Sequence, residues 1–115
     1  MRAKACGFWP HGDVEKSYYD SASVEVPALI LSGELDPITP PSWGAEVASH
    51  WKNSRHIVVP GTGHGTVSNG CIVKLIREFI NKGSAEKLNV DCVQRVRRPP
   101  FFLGPAGPDP QGAVK

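Results

Sequence analysis

Two short apolar runs, each followed by a helical pattern, constrain the fold of this 115-residue chain most strongly. Residues 28–31 and 56–59 do not alternate between apolar and polar side chains, which is typical of strands buried on both faces. Helical patterns follow over roughly residues 40–51 and 72–82. A strand-helix-strand-helix order predicts parallel strands joined by a right-handed crossover, and therefore an α/β fold with two strands and two helices.

The two predicted helices differ in the strength of their patterns. The first is predicted from Trp43, Val47 and Trp51, which lie four residues apart and would form one apolar stripe. Thr39 stands before a proline and is the predicted N-cap residue of this helix. The second helix has apolar residues at the spacing of a core-facing stripe, namely Ile72, Leu75, Ile76, Phe79 and Ile80. Gly83 suits the position that ends it.

These patterns divide the chain into three parts. Residues 1–24 form an irregular N-terminal connection, residues 25–98 an α/β segment, and residues 99–115 a tail rich in proline and glycine. Two strands make a poor sheet, because their outer edges need neighbours to pair with. Standing alone, such a domain would expose these edges and much of the second helix's apolar stripe. We therefore expect an incomplete sheet that belongs to a larger body.

Composition and charge limit the classes of partner. Apolar residues make up 40% of the chain and charged residues 21%, which is typical of a globular protein. The net charge of +2 is too small to predict nucleic acid or an anionic membrane surface as a partner. No run approaches the roughly 18 apolar residues of a membrane-spanning helix. The basic N-terminus runs into Gly7 and Pro10 instead of an apolar core, so no export signal is visible.

Each predicted strand is followed by a loop that carries one catalytic-type side chain. Asp36 follows the first strand, and His64 follows the second between two glycines. Parallel α/β sheets place catalytic groups at these strand ends. Either residue alone has another explanation, since aspartate before proline is a common turn and a histidine in a glycine-rich loop can be incidental. The remaining histidines lack such a setting: His11, His50 and His56.

In the sequences of α/β-hydrolases the catalytic residues come in the order serine, acid, histidine, and the two loops match the last two members of this order. In that arrangement Asp36 would orient the imidazole and His64 would be the general base. The nucleophile that should precede them is missing, because no Gly-x-Ser-x-Gly sequence occurs in the chain. Several serines lack the required strand-turn-helix context: Ser32, Ser42, Ser68 and Ser84. We therefore expect no turnover from this chain alone. The alternative is a non-catalytic truncated module that binds a partner or complements a separately encoded N-terminal half.

The chain resembles the C-terminal domain of the tripeptidyl-aminopeptidase-like serine hydrolases, a branch of the α/β-hydrolases. The matching segments are spread over roughly residues 6–102: residues 6–10, 26–40, 63–65 and 99–102, with Cys71 and Cys92. The resemblance implies the C-terminal part of an α/β-hydrolase fold, with Asp36 and His64 in the triad and no cofactor. It implies a peptidase that removes short peptides from free N-termini, with esters or amides as second choice. The nucleophile would belong to an N-terminal hydrolase portion, and such proteins are typically secreted or periplasmic.

The three cysteines, Cys6, Cys71 and Cys92, form an odd set, so one thiol is free or pairs outside the chain. The resemblance implies a Cys71–Cys92 disulfide that ties the tail to the His64 unit, with Cys6 left over. The alternative is three reduced structural cysteines. A metal site built from Cys71, Cys92 and a histidine would lack closely spaced ligand pairs, so we expect no metal.

Overall fold

The computed structural model describes residues 4, 7–10, 12–98, 101–105 and 107–108. In chain order the elements are a 3-10 turn (Lys16–Tyr19), β1 (Ala28–Gly33), α1 (Pro41–His50), β2 (Ser54–Val59), α2 (Gly70–Lys82), α3 (Asp91–Gln94), β3 (Phe102–Gly104) and β4 (Gly107–Pro108). Of the positions singled out in the sequence, Cys6, His11, Pro99 and Pro100 lie outside the described residues.

β1 and β2 pair in parallel, with Ala28 opposite Ser54 and Gly33 opposite Val59. The predicted α/β class with an incomplete, two-stranded parallel sheet is confirmed. Both strands are longer than the apolar runs that predicted them, because ladder hydrogen bonds depend on the backbone and continue past the apolar residues. β1 therefore includes Ser32 and Gly33 at its carboxyl end, and β2 begins two residues earlier than predicted.

The core lies between the sheet and α2. The segment between α2 and α3, and α3 itself, also contribute residues to it. Its buried members are Ile57, Val59, Ile72, Leu75, Ala85, Leu88, Val93 and Val96. Ile76 and Phe79 pack against this cluster, as the helical stripe predicts. Ile80, the last residue of the stripe, is 69% exposed, in line with the expectation that a chain standing alone exposes much of this stripe. No described element covers that side of the last helical turn.

α1 comes closest to the sheet at a glycine, and Trp43 of the predicted stripe does not face the strands, whereas Val47 and Trp51 are half-buried. Trp43 is exposed, and none of the ten residues of α1, all of which are described, is buried. A Cβ atom at Gly44 would lie 2.6 Å from Nε2 of His56 and 2.7 Å from Oγ of Ser32. The helix can therefore lie this close to the strands only because residue 44 has no side chain.

The start of α1 also differs from the prediction. The helix begins at Pro41 and its N-cap residue is Pro40, which makes no side-chain capping hydrogen bond. Thr39, the predicted cap, bonds to Asp36 instead. The helix ends at His50, one residue before Trp51. The indole N–H of Trp51 donates to the carbonyl of Ala22 at 2.8 Å and fixes the preceding segment.

A polar pair bridges the strands beneath Gly44. Nε2 of His56 lies 2.9 Å from Oγ of Ser32, which is buried at the end of β1. Burial lowers the pKa of His56, so the ring is neutral near pH 7. This contact gives structural roles to Ser32 and His56.

The predicted Cys71–Cys92 disulfide is present and joins the start of α2 to α3, with the Cα atoms 5.9 Å apart. A crosslink over 21 residues contributes about 3 kcal/mol in the chain-entropy treatment. Nη1 of Arg55 in β2 donates to three carbonyls of the segment between the helices, those of Ala85, Glu86 and Leu88. The disulfide and Arg55 together hold the C-terminal part of the segment on the sheet.

Short stretches of regular structure occur among the described residues near both ends of the chain. At the N-terminal end, Lys4, Gly7 and Phe8 have helical backbone and the 3-10 turn follows. In the tail, β3 and β4 form a short antiparallel pair. The side chains that flank or lie in β3 are exposed: Phe101, Phe102 and Leu103. Across the described residues, no helix is both long and apolar enough to cross a bilayer.

The glycine contact of α1 yields a stability prediction. Helix propensity alone predicts that Gly44→Ala stabilises the fold by up to about 1 kcal/mol. The contacts with His56 and Ser32 predict the opposite, a loss of about 1–3 kcal/mol in the free energy of unfolding. Urea denaturation measures this directly.

Gly70→Ala is the matched control, because a Cβ at this helical glycine meets nothing within 4 Å. It should leave the free energy of unfolding unchanged or raise it slightly. Equal stabilisation by both substitutions would contradict the packing of α1 described above.

Candidate active site

The loop after β1 carries Asp36 into a buried position at the carboxyl end of the strand. The backbone N–H of Asp36 donates to the carbonyl of Gly33 at 3.1 Å, which closes a tight turn. A Cβ atom at Gly33 would overlap the carbonyl oxygens of Thr62 and Gly63 in the loop after β2. Glycine at position 33 therefore allows the two loops to touch through their backbones.

Four donors surround the Asp36 carboxylate. Oδ1 accepts from the backbone N–H groups of Ile38 at 2.9 Å and Thr39 at 3.1 Å. Oδ2 accepts from the hydroxyl of Thr39 at 2.7 Å and lies 3.0 Å from Nδ1 of His64. Both oxygens are thus hydrogen-bonded twice, and the carboxylate is fixed in orientation.

These contacts decide the ionisation of Asp36. Burial by itself raises the pKa of a carboxyl group, but donors to the charged form lower it. At Asp36 the hydrogen bonds from the Thr39 hydroxyl, from the backbone N–H groups and from His64 outweigh the burial and hold its pKa well below the usual value. Asp36 is therefore a carboxylate, able only to accept, throughout the neutral pH range.

His64 lies on the loop after β2 and meets Asp36 with one ring nitrogen. The carboxylate can only accept, so Nδ1 must carry the proton in this contact. The Asp36 side chain is 3% exposed, whereas the His64 side chain is 58% exposed. Among the described residues, Nε2 of His64 has no hydrogen-bond partner. The pair therefore has a buried, charged end and an accessible end with a free lone pair.

Backbone hydrogen bonds and one side chain tie the two loops together. The N–H of Glu34 donates to the carbonyl of Val59 at 3.0 Å, and that of Leu35 donates to Thr62 at 2.9 Å. The Glu34 carboxylate accepts from the N–H of Gly61 at 2.7 Å. Gly61 has a φ of 61°, in the left-handed region that favours glycine. Among the described glycines of this loop, Gly61 alone adopts a positive φ.

The structure thus brings together Asp36 and His64 and separates the other candidates from them. His50 is at the end of α1, and His56 is paired with Ser32 beneath α1. Three residues of the site were not found from the sequence: Gly33, Glu34 and Thr39. Their roles depend on contacts between loops that are distant in sequence, and the local signal of Thr39 predicted a helix cap instead. In the described part of the chain, no group of three or more His, Cys, Asp or Glu side chains could hold a metal ion.

An acid-histidine pair at the carboxyl ends of adjacent parallel strands, joined by a helical crossover, is typical of the α/β-hydrolases, and the chain has a partial α/β-hydrolase fold. More narrowly, it belongs to the TAP-like protein family, whose model matches residues 1–92. This finding confirms the resemblance that the sequence motifs suggested.

Curated relatives also match the chain. It is similar to the serine protease Hip1 of Mycobacterium bovis and to that of Mycobacterium tuberculosis strains CDC 1551 and H37Rv. Identity is 28% over 89 residues in each case, covering 76% of this chain and 17% of the relative. The chain therefore spans about a sixth of the length of these relatives. No solved structure matches the chain. The family and the relatives support a hydrolase.

The lowered pKa of Asp36 yields a prediction about stability and pH. A carboxylate whose pKa is lowered in the folded state stabilises the fold at pH values above its pKa in the unfolded state, which is about 3.9 for aspartate. This contribution is lost as the pH falls through the lower folded-state value. Asp36→Asn should therefore reduce the free energy of unfolding at pH 7, and the difference from wild type should narrow only below pH of about 4. Denaturant unfolding between pH 7 and pH 3 measures it.

Asp20→Asn is the control, because Asp20 is exposed and lies outside the site. Its free energy of unfolding should stay within about 0.5 kcal/mol of wild type at neutral pH. If the difference in free energy of unfolding between Asp36→Asn and wild type disappeared already at a pH of about 5.5, this would contradict the conclusion that Asp36 is hydrogen-bonded and ionised.

Proposed function

We propose that this chain supplies the acid and the base of a serine hydrolase, with Asp36 as the orienting acid and His64 as the general base. The observation that carries the proposal is the 3.0 Å contact between Oδ2 of Asp36 and Nδ1 of His64 at the ends of two parallel strands. The contact leaves Nε2 as the nitrogen that can accept a proton.

In the first half of the reaction, Nε2 removes the proton of a serine hydroxyl as the serine oxygen attacks the substrate carbonyl. The ring then carries both protons and a positive charge. Asp36 is buried and ionised, so it stabilises this imidazolium through the Nδ1–H bond without taking the proton.

The imidazolium next donates its Nε2 proton to the leaving amine or alcohol as the acyl bond breaks. A water molecule then enters, and Nε2 takes its proton while the water oxygen attacks the acyl-serine. The proton finally returns to the serine as the product acid leaves. The exposed position of the His64 ring suits this sequence, because substrate and water must both reach Nε2.

The nucleophile and the oxyanion hole would come from a hydrolase portion that packs against this chain. Two features support such a partner. The chain has no Gly-x-Ser-x-Gly sequence, and several large apolar side chains are exposed on its described surface: Val26, Leu35, Ile38, Trp43, Val67, Val73 and Ile80. The two-stranded sheet also has outer edges that a continuing sheet would cover.

The substrate class follows from the family and the relatives. The matched relatives are described as serine proteases, and this supports peptides as substrates. We propose an exopeptidase that releases short peptides from free N-termini, with esters or amides as second choice, acting without a cofactor. The Cys71–Cys92 disulfide supports an exported protein, because disulfides persist in oxidising compartments.

A chimera tests the assignment. In it, this chain replaces the matching segment of the M. tuberculosis serine protease Hip1. The chimera should hydrolyse a tripeptide p-nitroanilide, and His64→Ala should lower kcat/KM by about 10⁴-fold because the base is lost. Initial rates of p-nitroaniline release measure this.

His50→Ala is the matched control, since His50 lies on α1 away from Asp36, and its kcat/KM should stay within about twofold. Equal losses in both variants would contradict the assignment of His64. A folded chimera that hydrolyses neither the anilide nor a p-nitrophenyl ester would favour the alternative, a non-catalytic module that binds a partner.

A further inference from the structure

The hydroxyl of Thr39 touches both members of the acid-base pair. Thr39 Oγ1 lies 2.7 Å from Oδ2 of Asp36 and 3.3 Å from Nδ1 of His64. The backbone N–H of the same residue donates to Oδ1 of Asp36 at 3.1 Å. Thr39 therefore holds both oxygens of the carboxylate and also faces the ring.

The protons in this cluster can be assigned from the chemistry of the groups. An ionised carboxylate has no proton to give, so the Thr39 hydroxyl must be the donor in its contact with Asp36. Its single proton is then committed, and only its lone pairs remain toward His64. Nδ1 therefore faces two acceptor oxygens, Oδ2 of Asp36 and Oγ1 of Thr39.

This arrangement discriminates between the two neutral forms of the ring. An Nδ1–H group finds an acceptor at 3.0 Å and a second at 3.3 Å. An unprotonated Nδ1 would place a lone pair against two oxygen atoms with no proton between them. The form with the proton on Nδ1, which leaves Nε2 free to accept, is therefore favoured by both oxygens.

We propose that Thr39 is a positioning residue of the hydrolase, which orients the Asp36 carboxylate and selects the Nδ1–H form of His64. Its catalytic consequence rests on the function proposed above, whereas its effect on the ring does not. Serine at this position would keep the hydroxyl, whereas valine would keep the branched shape but lack the hydroxyl. The Thr39→Ser and Thr39→Val variants thus separate hydrogen bonding from packing.

The direct readout is the protonation of the His64 ring nitrogens. Long-range ¹H–¹⁵N spectra of the full chain, labelled at histidine and recorded above pH of about 8, distinguish a protonated from an unprotonated nitrogen. His64→Ala identifies the His64 signals. In wild type and Thr39→Ser, the signals should show the proton on Nδ1, whereas in Thr39→Val this form should fall by about half or more.

Thr62→Val is the matched control. The hydroxyl of Thr62 donates to the carbonyl of Val59 at 2.8 Å, in the neighbouring loop. Removing it should leave the His64 signals as in wild type. A wild-type ring with its proton on Nε2 would overturn the proposal without any variant. An unchanged ring in a folded Thr39→Val chain would also overturn it. If Thr39→Val does not fold, Thr39→Ala, which also lacks the hydroxyl, takes its place, and an unchanged ring in that variant would likewise overturn the proposal.

Kinetics of the chimera separate this proposal from the function on which it rests. Thr39→Val should lower kcat about tenfold with KM nearly unchanged, and Thr39→Ser should restore kcat. If the ring signals behave as expected but no variant of the folded chimera has activity, the proposed function fails and the positioning of the ring stands. If His64→Ala abolishes activity while Thr39→Val changes neither kcat nor the ring signals, the role of Thr39 fails alone.

Discussion

The site depends on the backbone contact between the loop after β1 and the loop after β2. Gly33 meets the carbonyl groups of Thr62 and Gly63 so closely that any Cβ atom would overlap them. This approach brings Asp36, three residues beyond Gly33, within 3.0 Å of His64. The hydrogen bonds of Glu34 and Leu35 to the second loop then fix the separation of the loops. A larger residue at position 33 would therefore disturb the pair without touching either side chain.

Features with a local or periodic signal could be predicted from the sequence. The stripe that led to α2, the two strands and the loops that carry Asp36 and His64 all follow from short-range patterns. The same reasoning failed where contacts with a neighbouring element determine the burial or the hydrogen bonds of a residue. Trp43 lies in a helical stripe but is exposed, because α1 contacts the sheet through Gly44. Thr39 has the signal of a helix cap, but its hydroxyl bonds to the buried carboxylate of Asp36.

The two pairs of polar side chains in the sheet region show how burial separates structure from chemistry. One pair is Asp36 and His64, and the other is Ser32 and His56, whose side chains lie 2.9 Å apart. The second pair lies beneath α1, where Gly44 covers it. Burial lowers the pKa of His56, and Ser32 is buried at the end of β1. His64, by contrast, has a buried partner and an exposed ring. A serine beside a histidine is therefore not sufficient for a nucleophile; access to the reacting atoms decides.

We propose that this chain provides the acid and the base of a hydrolase but not its nucleophile. Labelling of the purified chain with a fluorophosphonate, a probe that reacts with activated serines, tests it most directly when read by intact mass. We expect no adduct on the chain alone. A stoichiometric adduct that disappears in His64→Ala would show that a serine of this chain is activated by His64, and would contradict the claim.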